Sequence, residues 1–170
     1  WVHAGLSHLY QNSLPLLLML GALFHFYQKV SWQVMLIGVL SSGLFTWFLG
    51  RPSYHIGASG LVYALFAFLF FAGIFSRYYR LVALSLTLVF VYGGLVWYVF
   101  PIKEGISWEG HLGGFLGGLF LAVYFRNQLP KRYVYDWEQP DFDESKDAFI
   151  SRFDKDGNLI TDESENKQDD

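Results

Sequence analysis

Long apolar stretches separated by short polar ones dominate the first three quarters of the chain. Five of them can be distinguished, at about residues 8–27, 32–49, 57–75, 81–100 and 111–125. Several are shorter than the ~20 apolar residues of an ordinary membrane-spanning helix. Five in succession with so few charges favour a membrane over the core of a soluble helical protein, which is the alternative. The pattern predicts an all-α, polytopic membrane helix bundle.

Charge divides the chain into two parts. Residues 1–135 carry eight Lys and Arg and two acids, whereas residues 136–170 carry thirteen acids and four Lys and Arg. We predict a membrane domain over residues 1–126 and a polar, acidic, largely disordered tail over residues 127–170. The chain has no cysteine, which excludes disulfides, thiolate catalysis and Cys-ligated metals.

Basic residues between the apolar stretches fall mainly on one predicted side of the membrane. The more basic side holds Lys29, Arg77, Arg80, Arg126, Lys131 and Arg132, and the other side holds Arg51 and Lys103. The positive-inside rule therefore predicts a cytoplasmic C-terminus, with the loops at 50–56 and 101–109 outside. An odd number of spans that starts outside also predicts a further segment before Trp1.

Three polar side chains lie at a similar predicted depth. With a rise of ~1.5 Å per helical residue, Ser59 and Asn12 lie about 25 Å above the cytoplasmic ends of their stretches, and His111 about 22 Å. The hydrocarbon layer is ~30 Å thick, so all three fall roughly 5–8 Å below its outer edge. This coincidence predicts a water-accessible depression that opens outward.

Ser59 and His111 carry the strongest chemical signal. An intramembrane histidine is a functional-site candidate because a polar group is costly there. Gly57 and Gly60 flank Ser59 and permit a tight turn that uncovers its hydroxyl and the nearby N–H groups. His111 begins a glycine-rich stretch that can approach a partner helix closely. We predict that Ser59 is a nucleophile and His111 its general base; the alternative for Ser59 is a small residue at a helix contact.

Two further groups could support this pair. His8 and Asn12 are four residues apart, hence on one face of a helix, and both can donate hydrogen bonds. Asn12 at the depth of Ser59 suits an oxyanion donor, with a polar contact between helices as the alternative. Tyr63 lies one turn after Ser59 and could stack on the imidazole of His111, or be an ordinary aromatic core residue.

Metal binding is the less favoured interpretation at two places. His3, His8 and His111 could form a zinc site, but no His-Glu-x-x-His occurs and no acid lies at that depth. The run from Asp154 to Asn158 resembles the start of a calcium loop, but Leu159 stands where that loop needs Gly. An Asp-Gly turn is favoured there. We therefore predict no metal and no cofactor, and interpret His25 and His55 as non-catalytic.

These motifs together resemble the rhomboid family of intramembrane serine proteases. The matching parts are His3, His8 and Asn12 in His-x4-His-x3-Asn spacing, Gly57-Ala58-Ser59-Gly60 with Tyr63, and Gly110-His111-x-x-Gly114-x3-Gly118. The resemblance covers about residues 1–126. It implies a rhomboid-like bundle with five of the usual six core helices, since the first helix and its Trp-Arg loop do not precede Trp1.

The resemblance also implies a function and a set of roles. Ser59 and His111 would form a dyad without an aspartate, and the oxyanion hole would comprise the Ser59 N–H, His8 and Asn12. Gly57 and Tyr63 would support the site, Tyr63 by packing on His111. The implied reaction cleaves a peptide bond in or next to a transmembrane segment of another protein. It needs the lipid bilayer but no cofactor, metal or nucleic acid.

Two rival functions stay open at this point. A non-catalytic rhomboid-like protein would bind transmembrane clients without cutting them, and the intact Ser59 and His111 argue against it. A channel or transporter would show internal repeats with interrupted helices in corresponding halves, which the sequence lacks. The expected protein is multi-pass, with its active site opening to the outer side.

Overall fold

Helices build the described part of the chain up to Gln128. The computed structural model describes residues 6–50, 58–102, 106–143 and 146–160. Its α-helices are α1 (Leu6–Phe26), α2 (Ser31–Leu49), α3 (Ser59–Ser76), α4 (Tyr79–Tyr92) and α5 (Trp108–Tyr124), and a 3-10 helix, Gly93–Val99, continues α4. Within those ranges we find no β-strand beyond one isolated bridge. The predicted all-α helix bundle is confirmed.

Several of these helices have the length and the apolar composition of membrane-spanning segments. The helices α2 and α3, and the continuous helical segment Tyr79–Val99, are each long and apolar enough to cross a membrane. Within α1 the apolar part is the shorter Asn12–Phe26, and α5 has 17 residues. The five predicted apolar stretches thus correspond to the five helices.

Helix α3 is the centre of the bundle, and each of the other four packs against it. Its residues from Val62 to Leu69 are all buried, on every side of the helix. A helix that is apolar all round belongs inside a larger assembly. Ser59 is the first residue of this central helix, so the buried turns that follow it hold it in place.

The outer helices α2 and α4 have broad apolar surfaces. Their exposed large side chains include Trp32, Leu36, Leu40, Leu44, Trp47, Phe48, Leu86 and Phe90. An apolar surface of this extent is unfavourable in water and marks contact with a partner or a membrane. Together with the lengths of the helices, it fits a lipid-facing surface.

Glycines allow α5 to lie directly on α3. A side chain at Gly114 would overlap the main-chain carbonyl of Gly60, and one at Gly118 would overlap that of Ala64. The absence of a Cβ at both positions therefore permits backbone-to-backbone approach, as small residues four apart do in membranes. This close contact places the first turn of α5 beside the first turn of α3.

The structure differs from the sequence-based expectation at two helix ends. Residues 81–100 were expected as one stretch, but the α-helix changes to a 3-10 helix at Gly93, where two successive glycines have low helix propensity. Helix α5 begins at Trp108 rather than at His111, so Glu109 lies in its first turn and not in the loop. The Glu109 side chain is fully buried.

The chain divides into two compact units, Trp1–Arg132 and Tyr133–Asp170. In the second unit, Phe153 pairs with Leu159 across a turn in which Gly157 has a φ of 81°. Hydrogen bonds from the Asn158 main chain and side chain hold the pKa of Asp154 below its ordinary value. The Asp-Gly turn is confirmed. The predicted boundary after residue 126 falls slightly before this division, and the predicted disorder of the tail stays a prediction.

Candidate active site

Ser59 stands where α3 begins. The first intrahelical donors are the N–H groups of Leu61 and Val62, which both bond the carbonyl of Ala58. The N–H groups of Ser59 and Gly60 therefore precede the helical hydrogen-bond ladder, as the first donors of a helix do. A hydroxyl beside such donors can react while the donors face the developing oxyanion.

The side chain of His111 meets that hydroxyl from α5. Its Nε2 lies 2.9 Å from the Ser59 Oγ, which is ordinary hydrogen-bond distance. The imidazole is 7% exposed, so few water molecules can compete for this contact. The structure therefore brings together the serine and the histidine that the sequence singled out.

The other ring nitrogen of His111 contacts the main chain. Its Nδ1 lies 3.0 Å from the carbonyl oxygen of Tyr98. A carbonyl oxygen can only accept, so we assign the ring proton to Nδ1, and Nε2 is then the acceptor for the Ser59 hydroxyl. This tautomer is the one that a general base requires.

The ring of Tyr63 packs flat on the imidazole. The two ring centroids are 4.1 Å apart with an interplanar angle of 12°. Tyr63 is buried on α3, one turn from Ser59. The stacking predicted from the sequence is present, and it limits rotation of His111 about its side-chain bonds.

Helix α2 contributes a hydroxyl that the sequence analysis missed. Ser42 Oγ donates a 3.0 Å hydrogen bond to the carbonyl of Gly110, the residue before His111. The same hydroxyl occupies the space that a side chain at Gly60, the residue after Ser59, would need. One side chain thus contacts the neighbours of both members of the pair. In the sequence, the four-residue spacing of Ser42 and Thr46, which puts both hydroxyls on one face of a helix, could have indicated this role.

A cavity of about 670 Å³ adjoins the pair. Its polar wall includes Ser42, Thr46, Ser59, Ser107 and His111. Binding sites for small ligands have volumes of about 300–1,000 Å³. The space is therefore large enough for several residues of an extended peptide and for the water that hydrolysis needs.

The remaining predicted site residues are only partly described. Asn12 is a buried polar side chain of α1, and α1 packs along α3. His8 belongs to α1, but its side chain lies outside the described residues, as do Gly57 and His3. The oxyanion roles of His8 and Asn12 stay predictions. Among the residues that are described, no three His, Asp or Glu side chains come together as metal ligands. The zinc set that the sequence disfavoured includes His3, which lies outside the described residues.

Comparison with known proteins fits this arrangement. The sequence model described as the Rhomboid domain matches residues 1–128. The chain belongs to the rhomboid family. It is therefore an integral membrane protein whose helices lie in a lipid bilayer. The resemblance to rhomboids that its motifs indicated is confirmed.

Relatives of this rhomboid occur in mycobacteria. It is 37% identical over 132 residues to the uncharacterized protein Rv1337 of Mycobacterium tuberculosis, covering 71% of this chain and 54% of that protein. It is 33% identical to the uncharacterized protein ML1171 of Mycobacterium leprae, covering 71% of this chain and 51% of that protein. The chain thus spans about half the length of the curated relatives it matches. No solved structure gave a significant match.

Proposed function

We propose that this rhomboid is an intramembrane serine protease with Ser59 as nucleophile and His111 as general base. The observation that carries the proposal is the 2.9 Å contact between His111 Nε2 and Ser59 Oγ. It is combined with the Nδ1 contact to Tyr98, which leaves Nε2 ready to accept a proton. A nucleophile, a base and a group that orients the base are the parts that acyl transfer requires.

In the proposed reaction the transferred proton moves through His111 Nε2, while Nδ1 keeps its own proton. Ser59 Oγ attacks the scissile carbonyl carbon while His111 Nε2 takes the hydroxyl proton. The tetrahedral intermediate collapses as the same nitrogen returns the proton to the leaving amine, which gives an acyl-enzyme on Ser59. Water then attacks this ester while His111 Nε2 takes its proton, and the nitrogen returns that proton to Ser59 Oγ as the ester bond breaks and the acid product leaves.

The negative oxygen of the intermediate needs donors. The N–H of Ser59 precedes the α3 ladder, and Asn12 is a buried amide on the adjacent α1. We assign the oxyanion hole to this N–H together with Asn12 and His8. Such donors act on a charge that exists only during the reaction, so they lower the barrier more than they strengthen substrate binding.

The substrate is a transmembrane segment of another protein. The reacting groups lie in a bundle whose helices are embedded in lipid, and the adjoining cavity accepts extended backbone. A substrate helix has to unwind locally to present its peptide bond, and the resemblance to rhomboid proteases implies helix-weak segments with small residues at the cut as targets. The basic residues between helices orient the C-terminus to the cytoplasm and the active site to the outer side.

A serine-directed fluorophosphonate tests the proposal directly. The parent protein in detergent should be labelled covalently, Ser59→Ala should not, and His111→Ala should be labelled far more slowly. Ser41→Ala is the matched control, since it removes a serine of α2 whose Oγ bonds only within that helix, to the Gly38 carbonyl; it should be labelled like the parent.

Cleavage of a model transmembrane substrate completes the test. Loss of either Ser59 or His111 should lower the rate by at least ~10³-fold while the helical content is unchanged. A parent protein that is folded and binds a transmembrane client, but neither reacts with the probe nor cleaves, would instead establish the non-catalytic alternative.

A further inference from the structure

The 3-10 helix Gly93–Val99 ends in a way that frees one carbonyl group. In a 3-10 helix each carbonyl accepts from the N–H three residues later. The Trp97 carbonyl follows this rule and accepts from Phe100 N at 3.3 Å. For Tyr98 the corresponding residue is Pro101, which has no N–H.

The next donor along the chain is also directed elsewhere. In an α-helical turn the Tyr98 carbonyl would accept from the N–H of Ile102, but that group donates to the Phe100 carbonyl at 2.8 Å. Neither helical donor is therefore available to Tyr98. The partly buried Tyr98 carbonyl instead meets His111 Nδ1 at 3.0 Å, which satisfies it as an acceptor.

Resting on the proposed function, we propose that the Tyr98 main-chain carbonyl, freed by Pro101, is the third positioning group of the catalytic site. It holds the His111 proton on Nδ1, keeps Nε2 directed at Ser59, and stabilises the imidazolium that forms when Nε2 takes the hydroxyl proton. In water-soluble serine proteases a buried aspartate performs this task. Tyr98 acts through His111 and does not touch the substrate.

The membrane explains why a carbonyl is suited to this role. An ionised carboxylate in a bilayer is costly unless it is paired, whereas a peptide carbonyl is already present and carries no net charge. Its dipole still favours an N–H donor, and more so when the ring becomes positive. The ring is therefore oriented from two directions, by this carbonyl and by the flat contact with Tyr63.

Replacing Pro101 tests the inference. Pro101→Ala supplies an N–H three residues after Tyr98, which competes with His111 for the carbonyl. We expect kcat for the transmembrane substrate to fall several-fold with KM unchanged, because the base is misoriented while the cavity is intact. Pro130→Ala is the matched control, since it adds an N–H beyond α5 and away from His111; it should behave as the parent.

A main-chain ester isolates the carbonyl from changes in backbone shape. Replacing Val99 by its α-hydroxy acid keeps the side chain and weakens the Tyr98 carbonyl as an acceptor. The same replacement at Val96 weakens the Leu95 carbonyl within the same 3-10 helix and controls for general damage. The ester at 99 should reduce kcat at least several-fold more than the ester at 96. Equal kcat for the two esters, or a Pro101→Ala enzyme that matches the parent, would overturn the inference.

A spectroscopic measurement separates this inference from the proposed function. In ¹⁵N-histidine-labelled protein, with the His111 signals assigned from a His111→Gln sample, the neutral ring should show a protonated Nδ1 and a bare Nε2. Pro101→Ala should shift this pattern towards a mixture of tautomers. A parent that fails to react with a fluorophosphonate yet gives this pattern refutes the protease function alone, whereas an active parent with the proton on Nε2 refutes the role of Tyr98 alone.

Discussion

Gly114 of α5 lies directly against the main-chain carbonyl of Gly60 on α3, with no room between them for a Cβ atom. Gly60 follows Ser59, and Gly114 is three residues after His111. The separation of Ser59 and His111, the proposed nucleophile and base, is therefore set by a contact between two backbones. No flexible side chain lies in this contact that could move aside for an added methyl group.

An alanine at Gly114 should misplace His111. The new methyl group forces α5 away from α3, and overpacking of this kind costs about 1–3 kcal/mol of stability. A displacement of about 1 Å between reacting groups can lower a rate by about 100-fold. We expect Gly114→Ala to lose at least tenfold in kcat and to melt at a lower temperature. Cleavage rates and thermal unfolding in the same detergent measure both.

Gly21→Ala is the control for this prediction. Gly21 lies on α1, and a Cβ there would meet no atom within 4 Å. Since alanine is the better helix former by about 1 kcal/mol, this variant should be at least as stable as the parent and fully active. If Gly114→Ala kept parental activity, the close contact of α3 and α5 would not set the geometry of the site.

Removal of the Ser42 hydroxyl should affect turnover more than binding. Ser42→Ala leaves the Gly110 carbonyl without its donor from α2 and loosens the turn that carries His111. A hydrogen bond of this kind contributes about 0.5–1.5 kcal/mol, so we expect kcat to fall about two- to tenfold. Steady-state kinetics on a transmembrane substrate resolves a change of this size.

The neighbouring serine provides a comparison for Ser42. Ser41 contacts Gly117, and its hydroxyl bonds the Gly38 carbonyl of its own helix. Ser41→Ala should therefore change kcat much less than Ser42→Ala. Similar losses in the two variants would indicate that Ser42 serves general packing of α2 and not the position of His111.

The sequence was sufficient for features that depend on side-chain identity. Five apolar stretches predicted five helices, and the motifs around Ser59 and His111 predicted two side chains that lie within hydrogen-bond distance. The position of Tyr63 one turn after Ser59 left two interpretations, an aromatic core residue or a ring stacked on His111, and the structure has the stacked ring. Each of these features depends on which side chain stands at a given position, and the sequence states that directly.

Features that depend on the main chain or on distant contacts were missed. The Tyr98 carbonyl is a group that every residue possesses, so nothing about tyrosine signals its contact with His111. Ser42 reaches Gly110 across 68 positions of sequence, which spacing alone cannot reveal. Glu109 was expected at the end of the 101–109 loop, but it is buried in the first turn of α5.

Asn12→Ala should lower kcat with little change in KM. As an oxyanion donor, its amide acts on charge that develops only in the transition state, and loss of one such donor costs about 2.7–4 kcal/mol. The proposed oxyanion hole also contains His8 and the Ser59 N–H as donors, so the measured loss can be smaller. Asn12→Asp is a useful companion, since a carboxylate of similar size repels the oxyanion and should be at least as inactive. An unchanged kcat with a raised KM would assign Asn12 to substrate binding.

The acidic C-terminal segment should be dispensable for the chemical step. Tyr133–Asp170 forms a compact unit of its own and contains neither member of the Ser59–His111 pair. The proposed topology puts it on the cytoplasmic side of the membrane and the Ser59–His111 pair towards the outer side. Exposed charges are screened over about 8–10 Å at ordinary salt concentrations. Truncation after Arg132 should therefore leave kcat on a detergent-solubilised substrate within a few-fold of the parent.

A salt series makes this last prediction more demanding. If the acidic residues acted on the site through their field, the ratio of truncated to full-length rates would move towards one as salt is raised from low to high concentration. We expect that ratio to be independent of salt above about 0.1 M, because the unit holds neither member of the Ser59–His111 pair and exposed charges there act over only about 10 Å. A truncated protein with parental helical content and thermal stability but with no cleavage would show that residues 133–170 contribute directly to activity.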